Sequence, residues 1–539
     1  MPKPLSAETK SLIESLYKPA SFLDRSTRRK LTILGLVGGT GEPAAIPDLA
    51  SLLLDRNQGI AQAAANAVIA LSSHLHPGEL PWLDQFMRQR SPYGWSYPSA
   101  WAELKPNQLD RLEGLGTEFV FALGMASFHF NGYVREQALR RLAAVKNGSE
   151  IPLLLLRVND WVEEVRDTAQ RLVRDRLTIN YAPFFVNNLV LVTRLQLGRR
   201  GRPQAIFGAI EALLKDKDSQ YALRAGLDSQ DTETRRACYR LAFGSGLLDQ
   251  EFVTERALSE SDPAIRLWGV HNLSLVSNSV TAARLLLRAG TDRFAPVRRK
   301  ALQVYSERFP ELAAPWLKQA LMDSLPSVRG YAQFQLGKQS DFDLRQFYLE
   351  ALAKSDTMSL CSAISGLGEV GASSDTALIV RYVSHEVPKV RRAALRTLLR
   401  LHADDFVDVF VERLSDRAPA VSREAMKGLN KAIHLIAGER VWRIFVGTAA
   451  VHTRRNALFL ISRLSKWESI GYLVEALCAD NECLKKLAET YVRRWHWQFN
   501  RSFAAPANEQ MERLKAAIER CGDRLDQPVR ELLEFTSRP

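Results

Sequence analysis

The sequence has no apolar run of the roughly 18 residues that a membrane-spanning helix needs. Its first ten residues also contain no apolar stretch of the kind found in a signal peptide. Cysteine is scarce, with five residues in a chain of 539, and an odd number does not suit a disulfide framework. We therefore expect a cytoplasmic protein whose cysteines are reduced and structural.

Recognisable catalytic motifs are missing as well. No His-Glu-x-x-His, Gly-x-Ser-x-Gly or zinc-ribbon spacing occurs in the chain. The pairs His74 with His76 and Cys478 with Cys483 lack a second pair at metal-ligand spacing. The sequence therefore predicts a protein that is not an enzyme and that carries no metal and no cofactor.

The composition is that of a folded chain with an excess of positive charge. Hydrophobic residues make up 46% and charged residues 25%, which are ordinary globular values. Lys and Arg number 73 against 60 Asp and Glu, so the formal net charge is +13. Such a balance favours acidic partners, whether an acidic protein, nucleic acid or an anionic membrane surface.

A repeated pattern organises most of the chain. Val390-Arg391-Arg392-Ala393-Ala394 shows it: an apolar residue or Thr, then Arg, with a small residue four positions after the first. The first position recurs at 234, 265, 297, 328, 359, 390, 421, 453 and 484, in steps of 31 or 32 residues. A fixed period of this size predicts an array of stacked supersecondary units, because each unit buries its apolar face only against its neighbours.

The spacing within each repeat predicts a helix with one tightly packed face. Positions zero, four and eight share a face at 3.6 residues per turn, and the small residue at position four lets neighbouring helices approach closely. Pro263, Pro296, Pro326, Pro388 and Pro419 stand one or two residues before position zero, where a missing amide hydrogen costs least.

These features resemble the short bacterial HEAT repeat, a form also found in phycobilisome-lyase-like proteins. The resemblance is carried by the Val-Arg-x-x-Ala helices and by glycine turns such as Leu34-Gly35 to Gly41 and Leu367-Gly368 to Gly371. It implies an all-α, right-handed α-solenoid of about 13 to 14 helical hairpins. Within this array we expect five segments: the N-terminal helix and first repeats (1–73), a Trp/Pro-rich insertion (74–130), repeats including one degenerate basic repeat (131–233), regular repeats (234–498) and a helical cap (499–539).

The resemblance also implies a ladder in which the arginine at position one bonds the Asp of an adjacent repeat. Asp residues precede this arginine by three to six positions in many repeats: Asp160, Asp262, Asp292, Asp323 and Asp416. We expect the ladder to include Arg135, Arg166, Arg235, Arg266, Arg298, Arg329, Arg391 and Arg454.

Other positions on the same helices predict a binding surface. If the second helices line a concave face, as the resemblance implies, positions two and six present basic side chains there. This predicted basic stripe consists of Arg236, Arg240, Arg299, Arg392, Arg396, Arg423, Lys427, Arg455 and Lys486. The alternative is a solvated charged helix face without a partner.

Two further candidate surfaces lie earlier in the chain. The insertion is rich in aromatic residues, which either anchor a partner or pack the insertion onto the array; these are Trp82, Tyr93, Trp95, Tyr97 and Trp101. The turn containing Arg199, Arg200 and Arg202 matches the core of a minor-groove-binding hook and is either a nucleic-acid contact or a basic surface turn.

The leading hypothesis is a non-catalytic scaffold or adaptor that binds an acidic protein along the basic stripe. Nucleic-acid binding, of the kind seen in DNA-repair-like HEAT proteins, is the alternative. A bilin-lyase-like or peptide-modifying activity is suggested only by the repeat subtype. Because one fold hosts many functions, all three hypotheses rest on analogy as well as on the residues.

Overall fold

The computed structural model describes residues 4–18, 26–89, 100–115, 119–246, 248–338, 341–354, 357–501 and 503–536. Throughout these ranges the chain forms α-helices joined by turns and short 3₁₀ segments, and it forms no strand. The chain divides into two compact units, with the boundary between Leu285 and Leu286. The predicted all-α class is confirmed.

Unit 1 contains helices of uneven length. They are α1 (Ala7–Tyr17), α2 (Ser26–Gly39), α3 (Ile46–Leu49), α4 (Gln58–Ser72), α5 (Leu80–Gln89), α6 (Asp110–Glu113), α7 (Phe119–Ala126), α8 (Gly132–Leu142), α9 (Ile151–Arg157), α10 (Glu163–Arg174), α11 (Ala182–Asn187), α12 (Leu189–Arg194), α13 (Pro203–Lys215), α14 (Gln220–Gly226), α15 (Thr232–Ser245), α16 (Gln250–Ala257), α17 (Pro263–Asn272) and α18 (Ser279–Ala289), the last of which crosses the unit boundary.

Unit 2 is more regular. Its helices are α19 (Ala295–Arg308), α20 (Pro310–Ala320), α21 (Pro326–Leu336), α22 (Leu344–Lys354), α23 (Thr357–Val370), α24 (Thr376–Val380), α25 (Pro388–His402), α26 (Val407–Leu414), α27 (Pro419–Lys431), α28 (Gly438–Val446), α29 (Val451–Ile461), α30 (Lys466–Glu475), α31 (Glu482–Trp497), α32 (Asn508–Cys521) and α33 (Gln527–Thr536).

The helices of unit 2 form pairs that stack in chain order. The first helix of each pair packs against the second, as α20 does against α21, α22 against α23, α26 against α27 and α28 against α29. The second helices also pack on one another in sequence, from α19 through α21, α23, α25, α27 and α29 to α31. This two-layer stack is the arrangement that a period of about 31 residues predicts.

Local signals explain where the second helices begin. Pro263, Pro326, Pro388 and Pro419 each occupy the first helical position of their helix, where the absent N–H group would have no intrahelical partner. The residue at position four is buried at the helix contact, as Ala394 is in α25. A larger side chain there would hold neighbouring helices apart.

Unit 1 departs from the regular pattern in two places. In the predicted insertion, α7 packs on α8 and α4, and α5 packs on α9, so the described part of this segment joins the helical stack. In the degenerate repeat, the segment that precedes α14 is broken into α11, α12 and α13. The buried apolar residues of unit 1 nevertheless form a single continuous cluster from Ile13 to Ile265.

Candidate binding surfaces

Most of the ladder arginines first make hydrogen bonds within their own repeats. Arg135 donates from Nη1 to the backbone oxygens of His129 and Phe130, both at 2.9 Å. The same bonds, to carbonyls five and six residues earlier, are made by Arg235, Arg266, Arg298 and Arg391, and Arg166 and Arg329 bond the carbonyl six residues earlier. The arginine therefore closes the turn that leads into its helix, a role the sequence pattern did not reveal.

Several of these arginines also reach an acid of the next repeat. Arg298 donates from Nε and Nη2 to Asp323 at 2.8 and 2.7 Å, and Arg391 does the same to Asp416 at 2.8 and 2.7 Å. Arg135 makes the equivalent pair of bonds to Asp160, whereas Arg454 reaches Asp480 through Nη1 alone. At these four joints the predicted ladder is observed.

Four other predicted ladder members behave differently. Arg329 donates hydrogen bonds to Glu369 rather than to an Asp, at 3.1 and 2.6 Å. Arg235 lies 3.6 Å from Glu260, and Asp262 is instead bonded by the neighbouring Arg236, at 2.6 Å. The last two, Arg166 and Arg266, donate hydrogen bonds to carbonyls of their own repeats.

Arg236 therefore needs reassignment. The sequence places it in the basic stripe, but its side chain bonds Asp262 of the next repeat and lies 3.3 Å from Glu233. These bonds raise the pKa of Arg236, and the hydrogen bond that it donates to Asp262 is the largest cause. Arg236 supplies the inter-repeat link that was predicted for its neighbour Arg235. The other predicted stripe residue of unit 1 is Arg240. Its guanidinium lies 4.7 Å from the ring centre of Trp268, and its side chain is exposed.

In unit 2 the remaining stripe residues occupy the second helices. Arg299 lies on α19, and the other six lie on the four successively packed helices α25, α27, α29 and α31: Arg392, Arg396, Arg423, Lys427, Arg455 and Lys486. All seven side chains are exposed. Within the described ranges, Arg299, Arg423, Arg455 and Lys486 have no carboxylate within 4.0 Å. We refer to the six cations on α25 to α31 as the unit 2 stripe.

One buried carboxylate lies beneath this stripe. Glu424 on α27 accepts hydrogen bonds from Arg396 at 3.3 and 3.0 Å and from Arg392 at 3.4 Å, and Lys427 lies 3.6 Å away. Burial alone would raise its pKa, but the bonds and charges of Arg396, Lys427 and Arg392 hold the pKa of Glu424 below its usual value. Glu424 therefore fixes three cations side by side while cancelling only one of their charges.

The basic turn of unit 1 is folded rather than extended. Gly201 and Arg202 both adopt left-handed backbone conformations, with φ of 63° and 52°. Asn159 Oδ1 accepts from the backbone N–H groups of Arg199 and Arg200 at 3.2 and 3.0 Å, and Gln170 donates to the carbonyl of Gly201 at 2.8 Å. The three arginine side chains are exposed, so a nucleic-acid contact here remains a prediction, although not by an extended hook.

The aromatic insertion is described only in part. Trp101 is 8% exposed, and its carbonyl hydrogen-bonds His129 Nε2 at 2.8 Å, so it packs the insertion onto the stack and is not an exposed anchor. Trp82 is partly buried against the core and stacks on Phe86 with ring centres 5.0 Å apart. The other three aromatic residues of this group, at positions 93, 95 and 97, lie outside the described residues.

A buried charge cluster in unit 1 was missed by the sequence pattern. Asp160 accepts from Arg135 at 3.2 and 2.9 Å, from Arg157 at 2.9 Å and from Arg88 at 3.4 Å. Arg157 also contacts Asp84, to which Arg88 donates at 2.9 Å. Burial raises the pKa of Asp84 to about 6, against the opposing effect of Arg88. Asp84 and Arg88 lie in the insertion, outside the period, which is why the repeat pattern could not point to them.

The cysteines do not all match the expectation of reduced thiols. Cys478 and Cys521 form a disulfide with a Cα–Cα distance of 5.9 Å, which joins the turn after α30 to the end of α32. That expectation is wrong for these two, because the packing of α32 on α30 brings together positions 43 residues apart. Cys483 remains a free, exposed thiol.

No group of three or more His, Cys, Asp or Glu side chains in the described ranges is arranged to hold a metal ion. Within the same ranges, no helix combines the length and apolarity that crossing a membrane requires.

Comparison with known proteins gives weak likenesses only. The sequence matches no protein-family model, and no curated protein matches it. Among solved structures, importin beta aligns over 95% of this chain and 79% of its own, with 13% identity and a TM-score of 0.32. A cohesin loader fragment from Chaetomium thermophilum covers 90% of this chain and 43% of its own, with 12% identity and a TM-score of 0.30. The CpcE–CpcF phycocyanin lyase complex from a Nostoc species covers 46% of this chain and 95% of its own, with 20% identity and a TM-score of 0.23. Likenesses at this level carry no argument about function, and the description of the fold rests on the helix pairs and the arginine ladder.

Proposed function

The chain is an array of HEAT-type helix pairs, and we propose that it is a non-catalytic scaffold that binds an acidic protein partner through the unit 2 stripe. The observation that carries this proposal is the charge balance on α25 to α31. Six cations lie exposed on four adjacent helices, and the carboxylate bonded among them, Glu424, is buried. Arg423, Arg455 and Lys486 have no competing anion in the described structure, and the other three cations share a single carboxylate, so a partner that carries carboxylates could pair with them.

The geometry suits recognition of a surface rather than of a small molecule. Each of α25, α27, α29 and α31 contributes at least one exposed cation, so the charges repeat at the spacing of packed helices. Ordered rows of like charge steer an oppositely charged partner and set its register, while adding less to affinity than the contacts at the centre of the interface. Binding should therefore weaken as salt rises.

The test is a charge reversal at the stripe residues that make no ion pair. Arg423, Arg455 and Lys486 replaced together by Glu should abolish capture of the partner from a lysate of the native host, identified by mass spectrometry. A matched control replaces Arg381, Arg417 and Lys515 by Glu; these are exposed cations outside the stripe, also without a carboxylate within 4.0 Å in the described structure. The control changes the net charge equally and should retain the partner.

The outcome of a nuclease treatment separates the two leading functions. An acidic protein captured equally with and without nuclease supports the proposal, whereas a partner lost after nuclease supports nucleic-acid binding instead. Equal loss of the partner in the stripe variant and in its control would show that net charge alone is responsible. Retention of the partner by the stripe variant would show that the stripe does not bind it. Thermal unfolding of each variant, followed by circular dichroism, shows whether the fold is retained.

Nucleic-acid binding remains the alternative function, supported by the exposed arginines of the basic turn in unit 1. A bilin-lyase-like or peptide-modifying activity has no supporting geometry of its own, because we can name no constellation of side chains for it. Incubation with a bilin and an acceptor protein, followed by visible absorbance, tests that activity directly.

A further inference from the structure

A cleft of about 410 Å³ lies in unit 1. It is lined by residues of α5, α9 and α12 and by the loops that follow α9 and α12. Its charged lining comprises four arginines and two carboxylates: Arg88, Arg157, Arg194, Arg200, Asp84 and Asp160. The volume is within the range of sites that hold a small molecule or one unit of a polymer.

An exposed indole is the most unusual part of this lining. Trp161 directly follows the ladder Asp160, a position that other repeats fill with Arg293, Ser324 or Arg417. The guanidiniums of Arg88 and Arg135 lie 4.8 and 5.1 Å from its ring centre. Arg135 is fully buried and Arg88 is partly buried, with 15% of its side chain exposed, whereas 55% of Trp161 is exposed, so much of the indole surface is open to the cleft and to solvent.

The arginines of the cleft fall into two groups. Arg88 and Arg157 are held in place by Asp84 and Asp160, yet the buried Nε of Arg157 has no hydrogen-bond partner. Arg194 and Arg200 are exposed, and neither has a carboxylate within 4.0 Å in the described structure. The lining therefore carries a net positive charge, and its uncompensated cations lie on the exposed α12 side.

The turn that carries Arg200 is held rigidly. Asn159 binds its backbone on one side, Gln170 binds it on the other, and a Cβ at Gly201 would lie 2.3 Å from the side chain of Arg166. A ligand would thus meet a preformed edge and lose little free energy in ordering it.

We propose that this cleft binds a nucleotide, with the base stacked on Trp161 and the phosphate on Arg194 and Arg200. A half-exposed aromatic ring beside arginines that have no carboxylate partner is the combination that proteins use for unpaired nucleotides. A carboxylate-bearing peptide could pair with the same arginines, but it would leave the exposed indole without a stacking partner.

Fluorescence anisotropy tests the proposal with the full-length protein at low salt. The probes are a fluorescein-labelled twelve-residue deoxycytidylate strand, unlabelled deoxycytidine monophosphate as competitor, and a labelled ten-residue polyglutamate peptide. Competition by the monophosphate would identify a free nucleotide as sufficient, and binding of the strand alone would identify a nucleotide within a chain. Trp161→Ala should weaken strand binding by about tenfold, as expected for the loss of one base stack, and Trp161→Phe should retain most of it.

Charge variants keep the test valid if loss of the indole perturbs the fold. Arg200→Glu removes an exposed cation that makes no ion pair in the described structure. It should weaken binding and reduce its salt dependence by about one phosphate contact. Arg381→Glu, an equal change in unit 2, should leave binding as in the wild type. The proposal is overturned if neither nucleotide probe binds, if Trp161→Ala and Arg200→Glu bind as tightly as the wild type, or if polyglutamate binds more tightly than the strand.

Discussion

Replacing Asp160 by Asn tests how far the buried charge cluster of unit 1 depends on a single carboxylate. Asp160 is fully buried and accepts hydrogen bonds from Arg135, Arg157 and Arg88. It also caps the following turn by accepting from the backbone N–H of Val162 at 3.0 Å. Asn preserves the size of the side chain and can keep the cap, so the substitution removes one charge and turns one acceptor into a donor.

The expected destabilisation is large because the partners are buried. The cluster holds three arginines against the two carboxylates Asp84 and Asp160, and the substitution leaves three against one. Removing one partner of a buried ion pair costs about 3–5 kcal/mol, since the remaining charge has neither water nor a counterion. Amide hydrogen exchange in α8 to α10 should accelerate by roughly a hundredfold or more, because about 1.4 kcal/mol corresponds to a factor of ten.

Asp480→Asn provides the matched control. Asp480 makes the equivalent ladder bond to Arg454, but its side chain is 81% exposed. Water can therefore replace the lost interaction, and exchange around α29 and α31 should stay close to that of the wild type. Hydrogen exchange measured by mass spectrometry reports both regions in one experiment. If Asp160→Asn leaves α8 to α10 protected, or if the two variants are equally destabilised, burial does not set the strength of the ladder.

Three further predictions concern unit 2. Glu424→Gln should lower the free energy of unfolding, measured by urea denaturation at pH 7, by about 1–2 kcal/mol. Because the folded pKa of this carboxylate is lowered, the difference from wild type should disappear as the pH falls through that folded pKa, and a constant difference down to pH 3 would contradict this reasoning. Reducing the Cys478–Cys521 disulfide, which closes 43 residues of chain, should destabilise the C-terminal helices by about 2–4 kcal/mol, and melting with and without reductant should show no difference for Cys521→Ser. Gly428→Ala places a Cβ 2.6 Å from an aromatic ring of α26 and should lower the melting temperature, whereas Gly330→Ala meets no atom within 4 Å and should raise it slightly; the reverse order would show that packing does not decide the sign.

Local sequence signals were sufficient to predict the helices, but not to predict which acidic residue each ladder arginine bonds. The period of 31 or 32 residues and the prolines at helix starts correctly located the second helices. Each proline acts within the first turn of its own helix, and the period repeats this signal along the chain. The acid that each arginine reaches was predicted correctly at Asp323 and Asp416. At Arg329 the prediction failed, because the carboxylate that it reaches is Glu369 on α23, 40 residues away, rather than an Asp.

The candidate sites show the same division. Composition and spacing identified a row of basic side chains on the second helices, and the structure places six of them on adjacent helices of unit 2. No pattern could assign Arg236 to Asp262 or show that Arg392 is fixed by Glu424, since both depend on how neighbouring helices are rotated against each other. Trp161 passed unnoticed for a different reason, because exposure cannot be read from a single aromatic residue in a loop.

The sequence by itself determined an all-helical repeat array, the location of its second helices and an excess of positive charge along them. These properties follow from residue type and spacing within one repeat. Only the tertiary structure decided which charges are compensated and which stay open, because burial and pairing are settled between repeats. The cluster around Asp160, the cleft beside Trp161 and the disulfide between α30 and α32 all arise where separate segments meet. The energies of these contacts depend on the distances between groups of different segments and on the exclusion of water between them. Neither is fixed within a single repeat.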